Sequence, residues 1–248
     1  MSAVPKEIQS QERTLRVQLA AAYRIADMLG WSELIYSHIS VRVPGPEHHF
    51  LINPYGLRYD EVTASNLIKI DVDGNVVSGS YKANKAGFFI HSAIHMARAD
   101  AQCVWHMHTL PGMAVSAQAD GLLPIHMYSH NFFERISYHE FEGPSMRHDE
   151  RPRLVKSLGE KNQAIILRNH GLLTIGRSIP EAFLRYWRLN RACEIQLAAQ
   201  VARLHIPSDA VCEQSFAMGE EFLADQADVG VLEFEALQRR LKDDSYKN

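Results

Sequence analysis

Residues 103–108 have the sequence Cys-Val-Trp-His-Met-His, an apolar run that ends in two histidines separated by one residue. The apolar run predicts a β-strand. Because side chains on a strand alternate between its two faces, His106 and His108 are expected on one face, with Met107 packed on the other. The two imidazoles would then lie close enough to share one metal ion.

A second apolar run, residues 163–169, leads to a third histidine, His170, and the small Gly171 allows a sharp turn there. Three histidines from a strand end and a neighbouring loop predict a site with one coordination position open for water or substrate, as in catalytic zinc sites. No thiolate belongs to the set, so zinc is expected first, then cobalt, nickel, manganese or iron. The pattern alone leaves another interpretation open, in which these are core or surface histidines without a metal.

Other segments predict the elements around these strands. Residues 11–30 place apolar side chains three and four positions apart, the pattern of an amphipathic helix. Residues 67–79 predict a β-hairpin, and residues 180–204 predict the longest helix, whereas residues 119–150 are predicted to be mostly loop. No linker, repeat or low-complexity segment interrupts the chain, so residues 1–248 are predicted to form one α/β domain in which helices flank a sheet.

The composition excludes several classes of protein. Hydrophobic residues make up 46% of the 248 residues and charged residues 22%, which argues against a disordered or fibrous chain. The net charge of −3 provides no strong basic field, so neither nucleic acid nor a membrane is expected as a partner. The N-terminus is polar, no apolar run reaches about 18 residues, and the three cysteines form no CxxC pair. A cytoplasmic protein without a signal peptide or disulfide framework is predicted.

Three motifs, taken together and in this order, resemble the class II aldolase and adducin family. They are the Asp-x-Asp-Gly hairpin at 67–79, the segment at 97–117 that runs from a helix end through a strand ending in HxH into the next helix, and the third-histidine segment at 164–183. The resemblance covers about residues 12–225. It implies a three-layer α/β/α sandwich with a central, mainly antiparallel sheet, and a small-molecule substrate. It also implies a homotetramer with active sites near the subunit interfaces, and a divalent metal, most commonly Zn²⁺, held by the three histidines His106, His108 and His170.

The resemblance fails where the sugar-phosphate aldolases of this family hold their catalytic base and the substrate phosphate. Their catalytic glutamate stands four residues before a helical histidine; here that histidine is His91, and Gly87 stands four residues before it. Their Gly-Asn pair is replaced by Ser37-His38, and Tyr55 occupies a turn where they have a small hydroxyl residue. These departures resemble the adducin-like branch of the family and predict a non-phosphorylated substrate.

Three further residues are candidates for the site. Tyr128 lies about where the aldolases place a catalytic tyrosine from a neighbouring subunit, so it could protonate a leaving oxygen or carbanion; the alternative is a tyrosine that packs at an interface. Asn84 and Lys85 begin a predicted helix whose N-terminus favours anions, so they could bind a substrate carboxylate; the alternative is a capping asparagine and a solvated lysine. One more side chain is expected to reach the metal cleft: His126, His130, Tyr138 or His139.

The leading hypothesis is a metal-dependent carbon–carbon lyase that acts on a small, oxygenated, non-phosphorylated substrate by retro-aldol cleavage or decarboxylation. Gly87 favours decarboxylation, because loss of carbon dioxide needs no base to deprotonate a hydroxyl. Two alternatives stay open. One is a non-catalytic adducin-like module that binds a partner or ligand, since the eukaryotic adducins of the family use the domain structurally. The other is an iron-dependent oxygenase, since an open histidine triad can hold iron.

Overall fold

A single mixed sheet runs through the molecule. The structure is a computed structural model that describes residues 6–45, 47–143, 148–224 and 228–248, with the side chains of Lys85, Ala86 and His148 excepted. Within these ranges the strands are β1 (His38–Arg42), β2 (Phe50–Ile52), β3 (Ile68–Ile70), β4 (Val76–Ser78), β5 (Cys103–Met107), β6 (Ile136–His139), β7 (Ala164–Leu167) and β8 (Gly171–Gly176). Their order is β4-β3-β2-β1-β5-β8-β7-β6. Neighbouring strands are antiparallel except for β6 and β7, which are parallel.

Helices cover both faces of this sheet. They are α1 (Lys6–Met28), α2 (Lys85–Ala97), α3 (Leu110–Ser116), α4 (Met127–His130), α5 (Arg151–Leu158), α6 (Ile179–Ala199), α7 (Asp209–Ala224) and α8 (Val231–Gln238). Short 3-10 turns lie at Tyr59–Glu61, His148–Glu150 and Ser245–Lys247. No helix of the described residues combines the length and the apolar character needed to cross a membrane.

The alternation of side chains along β5 separates two hydrophobic cores. Trp105 and Met107 belong to the core that the sheet forms with α1 and α6. Val104 belongs to the opposite core, formed with α2 and α5. Trp105 is fully buried, and its ring lies 5.5 Å from that of Phe183 in α6. The three-layer α/β/α sandwich with a mainly antiparallel sheet is therefore confirmed.

The centre of the sheet brings distant parts of the sequence together. Strands β1 and β5 pair so that His38 lies opposite His106. Strand β8 flanks β5 on its other side, with Leu172 opposite Met107. Because Ile39 faces the α1 core, its neighbours His38 and Ser40 face α2, as His106 does. The sheet therefore presents a row of polar side chains to α2 at the end of β5.

Two predicted segments differ from the structure in detail. Most of the described residues of 119–150 form loop, as predicted, but the short helix α4 and the edge strand β6 within this segment were not predicted. β6 has only four residues, Ile-Ser-Tyr-His, and three of them are only partly buried, so it lacks the continuous apolar run that identifies a strand in the sequence. The helix predicted for 180–204 begins at Ile179, where Ser178 Oγ accepts the N–H of Glu181, and ends at Ala199. It has 21 residues and is shorter than α1, which has 23.

Candidate metal centre

Three imidazoles meet where β5 ends and the turn between β7 and β8 begins. Nε2 of His108 lies 3.0 Å from Nε2 of His106 and 2.9 Å from Nε2 of His170. The three potential ligand atoms all fall within 4.8 Å of one another. Two nitrogens bound to one zinc ion at about 2.0–2.1 Å stand roughly 3 Å apart, so the observed spacing fits a shared divalent ion.

Backbone contacts orient these rings. Nδ1–H of His106 donates to the carbonyl oxygen of Leu172 at 2.9 Å, which leaves Nε2 as the nitrogen with a free lone pair. The backbone N–H of His108 donates to Ser37 Oγ at 3.1 Å. A ligand histidine normally has its other nitrogen held in this way, because the hydrogen bond fixes the tautomer and the ring plane.

The turn between β7 and β8 explains why a glycine follows the third histidine. Asn169 has a φ angle of 54°, a left-handed conformation that asparagine tolerates better than most residues. The N–H of His170 donates to the carbonyl oxygen of Leu167 at 3.1 Å and closes the turn. A Cβ atom at Gly171 would lie 2.8 Å from the carbonyl oxygen of Met107, so a side chain there would separate β8 from β5.

Burial favours the uncharged form of all three histidines. Desolvation is the main cause that lowers the pKa of His170 to about 4, and His108 adds to the effect. Desolvation also lowers the pKa of His108, while the carboxylate of Glu33 acts in the opposite direction. It holds the pKa of His106 well below its usual value. Neutral imidazoles bind metals without releasing a proton, so the residues present fit a divalent ion near neutral pH.

A second group of histidines lies on the α2 side of the same strands. Ser40 Oγ lies 2.7 Å from Nδ1 of His91 and 2.8 Å from Nε2 of His95. Nδ1 of His95 lies 2.6 Å from the carbonyl oxygen of Ala101. Sequence reasoning missed this group as a unit, because its members come from β1, α2 and the approach to β5.

His38 connects this group to the three metal-site histidines. Its ring stacks on His106 with centroids 6.4 Å apart and meets His91 edge-on at 5.7 Å. The side chain is 5% exposed, and desolvation is the main cause that lowers its pKa to about 3. In the sequence His38 is only a departure from the family pattern, whereas the packing places it beside the candidate metal ligand His106.

Comparisons with known proteins agree with this geometry. The sequence model for the class II aldolase and adducin N-terminal domain matches residues 17–197, which is most of the chain. The chain belongs to the class II aldolase and adducin family. A crystal structure of an aldolase II superfamily protein from Pseudomonas syringae covers 96% of each chain, with 46% identity and a TM-score of 0.91.

Two other members of the class II aldolase and adducin family differ from each other in what their names say. L-fuculose 1-phosphate aldolase from Glaciozyma antarctica is 28% identical, with a TM-score of 0.83, and the match covers 98% of this chain and 94% of that one. Alpha-adducin of Rattus norvegicus is 48% identical over 189 residues, which are 75% of this chain but 26% of the adducin. The domain thus occurs both as an aldolase and as part of a much longer protein.

The position of the missing family glutamate has a structural explanation. A Cβ atom at Gly87 would lie 2.2 Å from ring atoms of His38, closer than any real contact allows. The His38 ring therefore occupies the space that a glutamate side chain at position 87 would need first. In this class II aldolase relative, a neutral histidine takes the place of a carboxylate.

The other predicted site residues are Tyr128, Asn84 and Lys85. Tyr128 is half-buried and packs against Trp187 of α6 and His126, with centroids 5.4 Å apart in each pair. Among the described residues no hydrogen bond joins Tyr128 to the triad. Asn84 precedes α2, and its carbonyl oxygen accepts the N–H of Phe88. Lys85 is the first residue of α2, and its side chain lies outside the described part of the chain.

One histidine of the 119–150 segment does lie beside a metal-site histidine. His139 lines a small cleft together with Glu150, Arg168 and His170, and its Nε2 lies 3.4 Å from Oε1 of Glu150. The other three candidates have different contacts. His126 caps α4, His130 bonds to Ser215 and Pro124, and the hydroxyl of Tyr138 accepts the N–H of Leu122.

Proposed function

We propose that the protein is a metal-dependent carbon–carbon lyase that acts on a small, non-phosphorylated, oxygenated substrate. The observation that carries this proposal is the convergence of three neutral imidazoles on one point. A divalent ion held there, most commonly Zn²⁺, would act as a Lewis acid on a substrate oxygen and absorb the charge that develops as a carbon–carbon bond breaks. The Glaciozyma antarctica enzyme, whose name describes an aldolase, supports the same class of reaction.

The surrounding residues favour decarboxylation over retro-aldol cleavage. Retro-aldol cleavage needs a base that takes a hydroxyl proton, and the family places a carboxylate at position 87 for this role. Here that position is Gly87, and desolvation lowers the pKa of the neighbouring His38 to about 3, so its ring is too weak a base to replace the carboxylate. A decarboxylation releases carbon dioxide without that deprotonation, so the reaction needs an electron acceptor but no base at position 87.

The substrate is proposed to lack a phosphate. Tyr55 stands in a turn where the phosphate-binding aldolases have a small hydroxyl residue, and its side chain is 41% exposed. His38 replaces an asparagine of the same aldolases and fills its volume with a neutral ring. Neither side chain supplies a positive charge for a phosphate group.

A second function is favoured by one comparison. The 48% identity with alpha-adducin of Rattus norvegicus supports a non-catalytic binding module as the alternative. The same triad would also suit iron in an oxygenase, because imidazole ligands bind both zinc and iron.

The three cysteines are buried and free, which agrees with the proposed cytoplasmic location, where thiols stay reduced.

A substrate panel tests the lyase proposal. The protein is loaded with Zn²⁺, Co²⁺, Mn²⁺ or Fe²⁺ and incubated with non-phosphorylated β-keto acids and α-hydroxy ketones, and with L-fuculose 1-phosphate. We expect metal-dependent release of carbon dioxide or aldehyde from a non-phosphorylated compound, with at least about 100-fold lower kcat/KM for L-fuculose 1-phosphate.

The His108→Ala variant is the control, because it lacks one proposed ligand and should be inactive. Efficient cleavage of L-fuculose 1-phosphate would overturn the substrate class. If the Fe²⁺-loaded protein consumes oxygen with the substrate, and cleaves no carbon–carbon bond when oxygen is absent, the result would favour the oxygenase. No turnover with any metal, together with no metal binding, would favour the adducin-like module.

We also propose a homotetramer in which Tyr128 completes the site of a neighbouring subunit. In its own chain Tyr128 packs on Trp187 of α6 rather than on the triad, and tyrosine is among the residues enriched at protein interfaces. Asn84 and Lys85 are proposed to bind a substrate carboxylate at the start of α2.

Mixed oligomers test the shared site. His108→Ala lacks a ligand, and Tyr128→Phe lacks the proposed proton donor, so each variant alone should be inactive. After unfolding and refolding as an equal mixture, about one site in four should combine an intact triad with an intact tyrosine and regain activity. Light scattering that shows a fully active monomer would exclude the shared site, and a tetramer that regains nothing would exclude Tyr128.

A further inference from the structure

Hydrogen bonds determine where the protons lie along His95, Ser40 and His91. The carbonyl oxygen of Ala101 can only accept, so Nδ1 of His95 carries the proton of their 2.6 Å hydrogen bond. Desolvation is the main cause that lowers the pKa of His95 to about 3, so the ring is neutral and its Nε2 accepts a hydrogen bond from the hydroxyl group of Ser40 at 2.8 Å.

The same reasoning extends to His91. Ser40 has one hydroxyl proton, and it is already donated to His95, so its oxygen accepts from Nδ1–H of His91 at 2.7 Å. The His91 side chain is 2% exposed and its Nε2 has no hydrogen-bond partner among the described residues, so a charged ring would be costly here and the ring is neutral too. Its single proton is therefore on Nδ1, and Nε2 of His91 presents a lone pair.

Three ring nitrogens beside the triad have no hydrogen-bond partner among the described residues. They are Nε2 of His91 and both ring nitrogens of His38. The two side chains are 2% and 5% exposed. An unsatisfied buried polar atom costs about 1–3 kcal/mol, so such a group calls for a ligand or an ordered water.

These nitrogens occupy a defined place next to the metal centre. The rings of His38, His91 and His106 form a triangle, with centroids 5.7 Å apart for His38 and His91 and 6.4 Å apart for each of the other two pairs. It also fills the space above Gly87. A neutral imidazole has one N–H donor and one acceptor, so His38 adds a donor next to the acceptor on His91.

We propose that His38 and His91 form a binding site for an uncharged hydroxyl group of the substrate. The hydroxyl donates to Nε2 of His91 and accepts from the N–H of His38. A carboxylate or phosphate oxygen only accepts, so it would face the His91 lone pair without a proton to share. Ser40 and His95 are positioning residues that hold His91 in the required tautomer. The inference rests on the proposed function only in that the substrate is the molecule held at the triad.

A pair of neutral ligands measures this hydroxyl contact. Dihydroxyacetone has one hydroxyl more than hydroxyacetone, and the Kd of each for the zinc-loaded protein can be measured by titration calorimetry. We expect dihydroxyacetone to bind about tenfold more tightly, which corresponds to one well-made hydrogen-bonded contact. In His38→Phe and in His91→Phe the ratio should fall to about 1 while zinc content is unchanged. The exposed His205 provides the control, and His205→Phe should keep the ratio.

Histidine ¹⁵N NMR on the unaltered protein tests the same site when a variant does not fold. In the zinc-loaded protein without ligand, His91 should show a protonated Nδ1 and an unprotonated Nε2. Addition of dihydroxyacetone should move the His91 Nε2 signal, and hydroxyacetone should move it less. A proton on Nε2 of His91, or a ratio that neither variant changes, overturns the inference. If neither ligand changes the His91 signal, only an ordered water occupies the site, and this result overturns the inference as well.

These outcomes are distinct from failure of the lyase proposal. A protein that cleaves no substrate but shows the tenfold ratio keeps the hydroxyl site and loses the lyase function. A protein that cleaves a substrate but whose ratio survives both variants keeps the function and loses this inference alone.

Discussion

Acidification from pH 7.5 to pH 5 is expected to destabilise the metal-free protein by about 4 kcal/mol through His38 and His95 alone. Burial lowers the pKa of each to about 3, whereas an unfolded histidine titrates near 6.5. Below pH 6.5 the unfolded chain therefore binds protons that the folded chain does not. The contribution of each histidine to the free energy of unfolding is fully present above pH 6.5, the pKa in the unfolded chain. Below that pH the contribution falls by about 1.4 kcal/mol per pH unit for each histidine. Such a loss is a large part of the roughly 5–15 kcal/mol that stabilises a typical domain.

Urea unfolding at several pH values between 7.5 and 5 measures this slope. In a His95→Gln variant the slope should decrease by about one proton, whatever the variant does to stability at pH 7.5. Replacement of the exposed His205 by glutamine should leave the slope as it is. A free energy of unfolding that stays constant over this range would contradict the neutral, buried state of these histidines.

Replacement of one triad histidine by alanine is expected to weaken zinc binding by more than about 100-fold. Residues that merely orient a ligand already contribute about 10–100-fold to metal affinity, and removal of a ligand should exceed that. His106→Ala and His170→Ala are the most informative variants, because His106 belongs to β5 and His170 belongs to the turn between β7 and β8. Competition with a chromophoric chelator gives the affinity, and elemental analysis gives the zinc content.

His139 provides the matched control for the zinc experiment. It lines the same cleft as His170 but lies outside the cluster of three nitrogens. His139→Ala should therefore retain zinc with an affinity close to that of the unaltered protein. Full zinc retention in both His106→Ala and His170→Ala would exclude the triad as the metal site.

The strand that ends in His106 and His108 could be predicted because its signal is local. An apolar run with two histidines two residues apart defines both a strand and a shared face. The sharp turn at His170 is predictable for the same reason, since Gly171 directly follows the histidine. The family resemblance then supplied the sandwich architecture.

The group formed by His38, Ser40, His91 and His95 could not be predicted from sequence patterns. Its contacts join residues 51 and 55 positions apart, and no short motif encodes them. The same applies to Gly87, whose missing side chain suggested only a lost base. Its relation to His38 depends on how α2 packs on β1, which is a tertiary property. Strand β6 was missed because a half-buried edge strand has the composition of a loop.

The contact between His38 and Gly87 means that the residues possible at one of these positions depend on the residue at the other. A side chain cannot be added at position 87 while the imidazole at position 38 fills its volume. A carboxylate side chain at position 87 therefore requires a smaller or displaced side chain at position 38. In the same way, an imidazole in this position at residue 38 requires a residue without a Cβ atom at position 87. Two positions that are 49 residues apart in sequence are therefore sterically coupled, and the effect of a substitution at one of them depends on the side chain at the other.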